Sequence, residues 1–175
     1  MSALIECVPN VSEGQHPENI AVMANAIRTV PGVKLLHTDT GFAANRTVFT
    51  FAGLPDPVFE AAFRLYKIAK ECINMERHYG EHPRMGAVDV CPFIPVSGIS
   101  ITELTPLFLQ FTRRLENDLG ISGYYYEHSA SAPERKNLAF LRKGEYELLA
   151  EKMKTTTFDF GSSHYLKSFG ATVTG

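Results

Sequence analysis

Between His78 and Arg84 the chain places two histidines, a glutamate and an arginine within seven residues, with Gly80 and Pro83 among them. An imidazole takes up or releases a proton near neutral pH, a carboxylate orients it, and a guanidinium grips carboxylates through forked hydrogen bonds. Gly80 and Pro83 each break a helix, so these polar groups are expected on a shaped loop. Behind them Ala87 to Val96 is nearly all apolar and β-prone, which reads as a buried strand holding that loop still. His82 is the candidate working residue, with Glu81 and Arg84 beside it. A single loop histidine is more often a surface hydrogen-bonder, so position 82 needs support from elsewhere in the chain. No metal is expected. His78 and His82 stand four apart, a zinc spacing only on a continuous helix, and neither Cys72 nor Cys91 belongs to a CxxC pair.

The elements that position these groups fit one domain, since 175 residues can bury one good core and are short for two. Hydrophobic residues at 45% and charged residues at 21% match a folded globular chain rather than a disordered one. A net charge of −2 argues against a nucleic-acid partner. No apolar run approaches the roughly 20 residues of a membrane span, so no membrane partner is expected. The sequence opens without a basic and apolar leader, and its three widely spaced cysteines suit reduced thiols, which together predict a cytoplasmic protein.

Leu4 to Val8 reads as a first strand, followed by a polar loop from Asn10 to Gly14 at the strand end where ligands commonly bind. Pro17 opens a helix with Ile20, Met23, Ala24 and Ile27 on one face, and Val33 to His37 reads as a second strand. Asp39 to Arg46 forms a polar turn before a third strand, Thr47 to Ala52. Asp56-Pro57 predicts a helix start with the aspartate as cap, and Val58, Ala62, Leu65, Ala69 and Cys72 form its core-facing stripe. Ser100 and Glu103 match a capping box, though Pro106 argues for a start near Thr105. Ser122 to Glu127 reads as a fifth strand, Ser131 and Glu134 as a second capping box, Glu145 to Lys154 as a short helix, and Ala171 to Thr174 as a last strand. This order predicts an α+β sandwich, one mixed or antiparallel sheet with helices packed on it, with a ferredoxin-like arrangement as the nearest simple model.

Glu6-Cys7-Val8-Pro9-Asn10, Ser12-Glu13-Gly14, Asn45-Arg46-Thr47, the block Gly80 to Ala87 with Asp89 to Pro95, and Gly170 to Gly175 occur in that order. Together they resemble the N-terminal subdomain of glutamate formiminotransferases, the transferase part of formiminotransferase-cyclodeaminases. The resemblance implies that residues 1–175 form this subdomain and that the family's second, C-terminal subdomain lies outside the chain. It also implies a folate-dependent one-carbon transferase of histidine breakdown. In that reaction the formimino group of N-formimino-L-glutamate passes to tetrahydrofolate, a co-substrate, with no metal. The family's catalytic histidine falls on His82. Its folate-contacting segment falls on Gly161 to Gly170, which gives Gly161, Ser162, Ser163, His164, Tyr165, Lys167 and Gly170 as folate contacts. This segment lacks the prolines and tryptophan that family members often carry there.

The chemistry assigns further roles. Asp39 is expected to orient His82, with Glu81 as the fallback. Arg46 and Arg84 are expected to hold the carboxylates of formiminoglutamate or of the folate tail, and Asn10, Ser12 and Asn45 to add polar contacts. Family substrates lie between two subdomains, so the chain is expected to act as a homo-oligomer or with a separate C-terminal-subdomain chain. A non-catalytic folate-binding module and an assembly subunit of a two-chain transferase are the competing readings. Intact His82 and Asp39 favour the enzyme, a glutamate formimidoyltransferase.

Overall fold

Two prolines shape the centre of the sheet. The computed structural model, which describes residues 2–162 and 164–175, splits its first strand at Val8-Pro9 into β1 (Leu4–Cys7) and β2 (Asn10–Val11). A proline has no N–H to give to a ladder, so pairing lapses there. Helix α1 (Pro17–Arg28), strands β3 (Val33–Gly41) and β4 (Arg46–Gly53), and helix α2 (Pro55–Cys72) follow. Pro92 splits the apolar stretch after the histidine loop in the same way, into β5 (Val88–Cys91) and β6 (Phe93–Ser97). Strand β4 pairs antiparallel with β3 on one side and with β1 and β2 on the other, while β6 pairs with β1 and β5 with β2. With each split strand taken as one, the spatial order is fourth, first, third, second, which is the ferredoxin-like arrangement. Helix α3 (Ile101–Leu119) then leads to β7 (Gly123–Tyr125), and the chain returns as β8 (Thr172–Thr174). Strand β8 runs parallel to both β5 and β7, so among the described residues eight strands form one mixed sheet.

Several boundaries differ from the sequence reading. Strand β3 continues through Asp39 to Gly41, because Thr38 and Thr40 pair with Phe49 and Thr47, and only a short turn is left before Arg46. The polar stretch after the first strand begins as β2, not as loop. Helix α2 starts at Pro55 with Leu54 as its cap, and Asp56 sits in the first turn, where its charge favours the helix dipole. The Ser100 and Glu103 capping box forms in full and starts α3 at Ile101, with Pro106 inside the helix. That box and the buried face of Leu104, Phe108, Phe111 and Leu115 outweigh the proline's missing N–H. Ser131 and Glu134 cap nothing. A 3-10 turn, Pro133–Lys136, lies there, and Asn137 caps α4 (Leu138–Arg142) instead, followed by a shorter α5 (Leu149–Lys152).

The sheet buries both faces, unequally. On one, Ile5, Cys7, Val11, Phe49 and Phe51 pack with Ile27, Leu65 and Phe111 of the three long helices. On the other, Val90, Tyr124 and Val173 pack with Leu141 and Leu149 of α4 and α5. Each such side chain contributes about 1.5–3 kcal/mol through burial. The rest of this second face includes Ile94 and Val96 of β6, both exposed. Among the described residues no helix is long and apolar enough to cross a membrane.

Candidate active site

The loop from α2 to β5 has little regular structure, and three neighbours fix its path. The turn before β4 holds its middle: Asn45 Nδ2 donates to Tyr79 O at 2.8 Å and Glu81 N to Ala43 O at 3.3 Å. Gly80 is required here, since a Cβ would stand 2.4 Å from Ala44 O. The stretch before β8 holds the two ends, with Met75 N donating to Ser168 O at 2.8 Å and Gly86 bridging Gly170. The segment between α4 and α5 provides the third support, where Tyr146 N donates to Arg84 O at 2.9 Å.

Arg84 tightens that support with its whole guanidinium. Nε donates to His78 Nδ1, Nη1 to Glu145 and Glu147, and Nη2 to His78 O and Glu147. An arginine has five N–H groups, and all five are engaged within the protein. In this structure the side chain pins the loop, with every N–H that could grip a substrate carboxylate given to a protein partner. Hydrogen bonds from Arg84 to Glu147 hold the arginine's pKa above its ordinary value and that of Glu147 below its own.

His78 is locked between Arg84 and Asn45. Nδ1 accepts from Arg84, so Nε2 carries the ring proton and donates to Asn45 O at 3.1 Å. Burial, opposed by the Asn45 carbonyl and aided by Arg84, lowers the His78 pKa below 6.5. The unfolded chain then binds a proton near pH 6.5 that the folded loop resists, so this residue's contribution falls as pH falls through that range. The wild-type melting temperature is expected to drop more steeply from pH 7.5 to 5.5 than that of His78→Gln. Equal slopes would show that the loop does not depend on a neutral ring.

His82 projects from this loop and is exposed. Its Nδ1 meets the Nη1 of Arg46, and Pro83 O also lies 2.9 Å from it. Arg46 is buried at the start of β4, where Nε donates to Asn10 Oδ1 at 2.7 Å and Nη2 approaches Asp89 at 3.8 Å. Burial holds its pKa below the ordinary arginine value. Asp89 reaches this cluster because of a bulge. Asn10 faces Val90 and Val11 faces Val88, so Asp89 is the extra residue of β5, and a bulge re-aims such a side chain. One Asp89 oxygen accepts from Met85 N, and the other from Arg142, the last residue of α4. Burial raises its carboxyl pKa against the pull of both arginines.

The other expected residues fall into three groups. Asp39 pairs with Val48, which pairs with Asn10, so it shares their sheet face two strands from Asn10, or about 10 Å. Among the described residues no hydrogen bond or ion pair joins Asp39 or Glu81 to His82, whose Nδ1 instead meets Arg46 and the Pro83 carbonyl. Ser12 and Asn45 are buried in structural bonds, Ser12 Oγ to Gly86 O at 2.8 Å and Asn45 Oδ1 accepting from Gly14 N at 2.9 Å.

The expected folate segment reaches the loop only at its end. Gly170 adopts φ +77 against Met85 O, Lys167 is exposed with its carbonyl accepting from Tyr146, and Tyr165 packs on Phe158. Gly161, Ser162 and His164 lie farther along, with Ser162 Oγ bonded to His164 O, and Ser163 lies outside the described residues. Asp89 and Arg142 join the site without having been among its expected residues. A charged residue inside an apolar strand was the available signal for Asp89; Arg142 had none.

Among the described residues no three His, Cys, Asp or Glu side chains form a possible metal site. Fold and site together define a single-sheet α+β domain with an exposed imidazole whose Nδ1 contacts a buried arginine and a backbone carbonyl. The chain matches the family model for the formiminotransferase domain, N-terminal subdomain, over residues 4–175, and it belongs to that family. It is 48% identical to formimidoyltransferase-cyclodeaminase of Mus musculus, with all of this chain and 33% of that protein covered. It is 42% identical to glutamate formimidoyltransferase of Streptococcus pyogenes serotype M1, with all of this chain and 59% of that protein covered. The chain thus spans about a third of the bifunctional relatives and over half of the shorter one.

Proposed function

We propose that this chain is the histidine-bearing half of a glutamate formimidoyltransferase, which moves the formimino group of N-formimino-L-glutamate to tetrahydrofolate in histidine breakdown. The observation that carries this reading is His82, exposed on a loop fixed from three sides, with both a donor and an acceptor within reach of Nδ1. A folate amine attacks the formimino carbon, a C–N bond forms, and the bond from that carbon to the glutamate nitrogen breaks. The proton leaving the attacking amine must reach the departing nitrogen. His82 Nε2 accepts it while Nδ1–H faces Pro83 O, and releases it to the glutamate nitrogen. With the proton on Nε2 instead, Nδ1 accepts from Arg46. Each ring form thus has a partner at Nδ1.

Asp39, on the same sheet face as Asn10, is proposed to meet bound substrate rather than His82. Gly161 to Gly170 is proposed to contact folate through the end nearest the loop. The C-terminal subdomain found in the longer relatives would close the site, in the same chain or in a partner, and exclude water from it. The three cysteines are free thiols, which supports a cytoplasmic setting.

The test mixes formiminoglutamate and tetrahydrofolate with this chain together with a C-terminal-subdomain chain. Formation of formiminotetrahydrofolate and glutamate is expected. Folate binding without turnover would replace the enzyme reading with that of a binding module.

A further inference from the structure

Three arginines surround the histidine loop, and their hydrogen bonds tell them apart. Arg84 uses all five N–H groups on the protein. Arg46 commits Nε to Asn10 and one Nη1 proton to His82, and holds Nη2 at 3.8 Å from Asp89. Arg142 makes one hydrogen bond among the described residues, Nη2 to Asp89, and its buried Nε has no partner there.

The charges do not balance. The Arg46 and Arg142 side chains are only 10% and 16% exposed, and among the described residues the one carboxylate between them is Asp89. The cluster is net positive whether Asp89 is ionised or protonated. Poorly solvated charge is costly unless paired; Arg142 Nη1 has no partner among the described residues and, unlike Nε, is not closed off from solvent, so the surplus positive charge is arranged for an anion. Arg142 also lines an open cleft of about 500 Å³ with Pro83, Lys143 and Glu145, whose carboxylate is already taken by Arg84, and Pro83 adjoins His82. Net charge of one and two planar forks match a single carboxylate better than a doubly charged phosphate.

We infer that Arg46 and Arg142 form a receptor for a glutamyl carboxylate, with Arg142 as a specificity-determining residue. The inference rests on the transferase reading for the identity of the ligand, since formiminoglutamate and the tail of tetrahydrofolate both carry that group. Arg142 then takes the place for which the sequence suggested Arg84.

Calorimetric titration of the full-length protein with formiminoglutamate, tetrahydrofolate and tetrahydropteroate, which lacks the glutamyl tail, tests it without turnover. Arg142→Gln is expected to weaken formiminoglutamate at least tenfold and leave tetrahydropteroate within twofold. Loss confined to tetrahydrofolate would assign the receptor to the folate tail and still support a glutamyl-carboxylate site. Unchanged affinity for both glutamyl ligands would overturn it. If Arg142→Gln folds poorly, Arg142→Lys keeps a positive charge beside Asp89 while removing the planar fork, and is expected to show the same loss. A protein that binds these ligands through Arg142 but transfers nothing would sink the enzyme reading and leave the receptor standing.

Discussion

His82→Ala is expected to lower formimino transfer by about 10²–10⁴-fold, the range typical for removal of a positioned acid–base group. The fold is expected to survive unchanged. His82 is exposed, and the bonds that shape its loop come from Tyr79, Glu81, Arg84, Met75 and Gly86, not from its own ring. Its removal frees one Arg46 N–H, and water entering where the exposed ring stood can take it. The loss should therefore appear in kcat, with a melting temperature close to that of the wild type. A variant retaining more than a tenth of wild-type transfer would mean that substrate groups, or a residue from the second subdomain, shuttle the proton.

Asp89→Ala is expected to have the largest effect on stability, about 3–5 kcal/mol, the usual result of removing one partner of a buried ion pair. Asp89 is 1% exposed. Its two oxygens satisfy Met85 N and Arg142, and among the described residues its charge is the only negative one facing Arg46. Alanine would leave two poorly solvated guanidiniums side by side and a buried N–H without a partner. For a chain of this length the loss corresponds to a fall in melting temperature of about 6–20 °C. Asp89→Asn keeps an acceptor for Met85 and should lose less. A melting point for Asp89→Ala within about 2 °C of the wild type, a shift of under 1 kcal/mol at this length, would show that water already solvates the arginine pair.

The two readings of the molecule diverge along a physical line. Periodicity along one segment made the long helices legible: the stripe from Val58 to Cys72 and the Ser100 and Glu103 box are local signals, and both elements formed. The order of strands and helices was enough to suggest the ferredoxin-like sheet, because short connections leave few topologies open. Short elements after residue 127 were drawn too long, since their helices rest on packing against Val90, Tyr124 and Val173 rather than on their own sequence.

The site shows the same division. The loop that carries His82 was legible because Gly80 and Pro83 break a helix locally, whereas Asn10 and Arg46, read as loop and turn, lie within β2 and β4. The identity of partners was not legible. Arg84 and Arg46 look alike in sequence, yet one is consumed by Glu145, Glu147 and His78 and the other reaches His82. Asp39 was a reasonable partner by chemistry, but strand register placed it two strands from Asn10.

The sequence by itself determined the class of fold, the loop and the imidazole, because turn residues and apolar spacing act over a few neighbouring positions. Only the tertiary structure decided which charges meet. Asp89 joins Arg142 across 53 positions, through a β-bulge on one side and a five-residue helix on the other. No local pattern encodes that contact, since hydrogen bonding depends on distances of about 3 Å that are set by packing of the whole sheet.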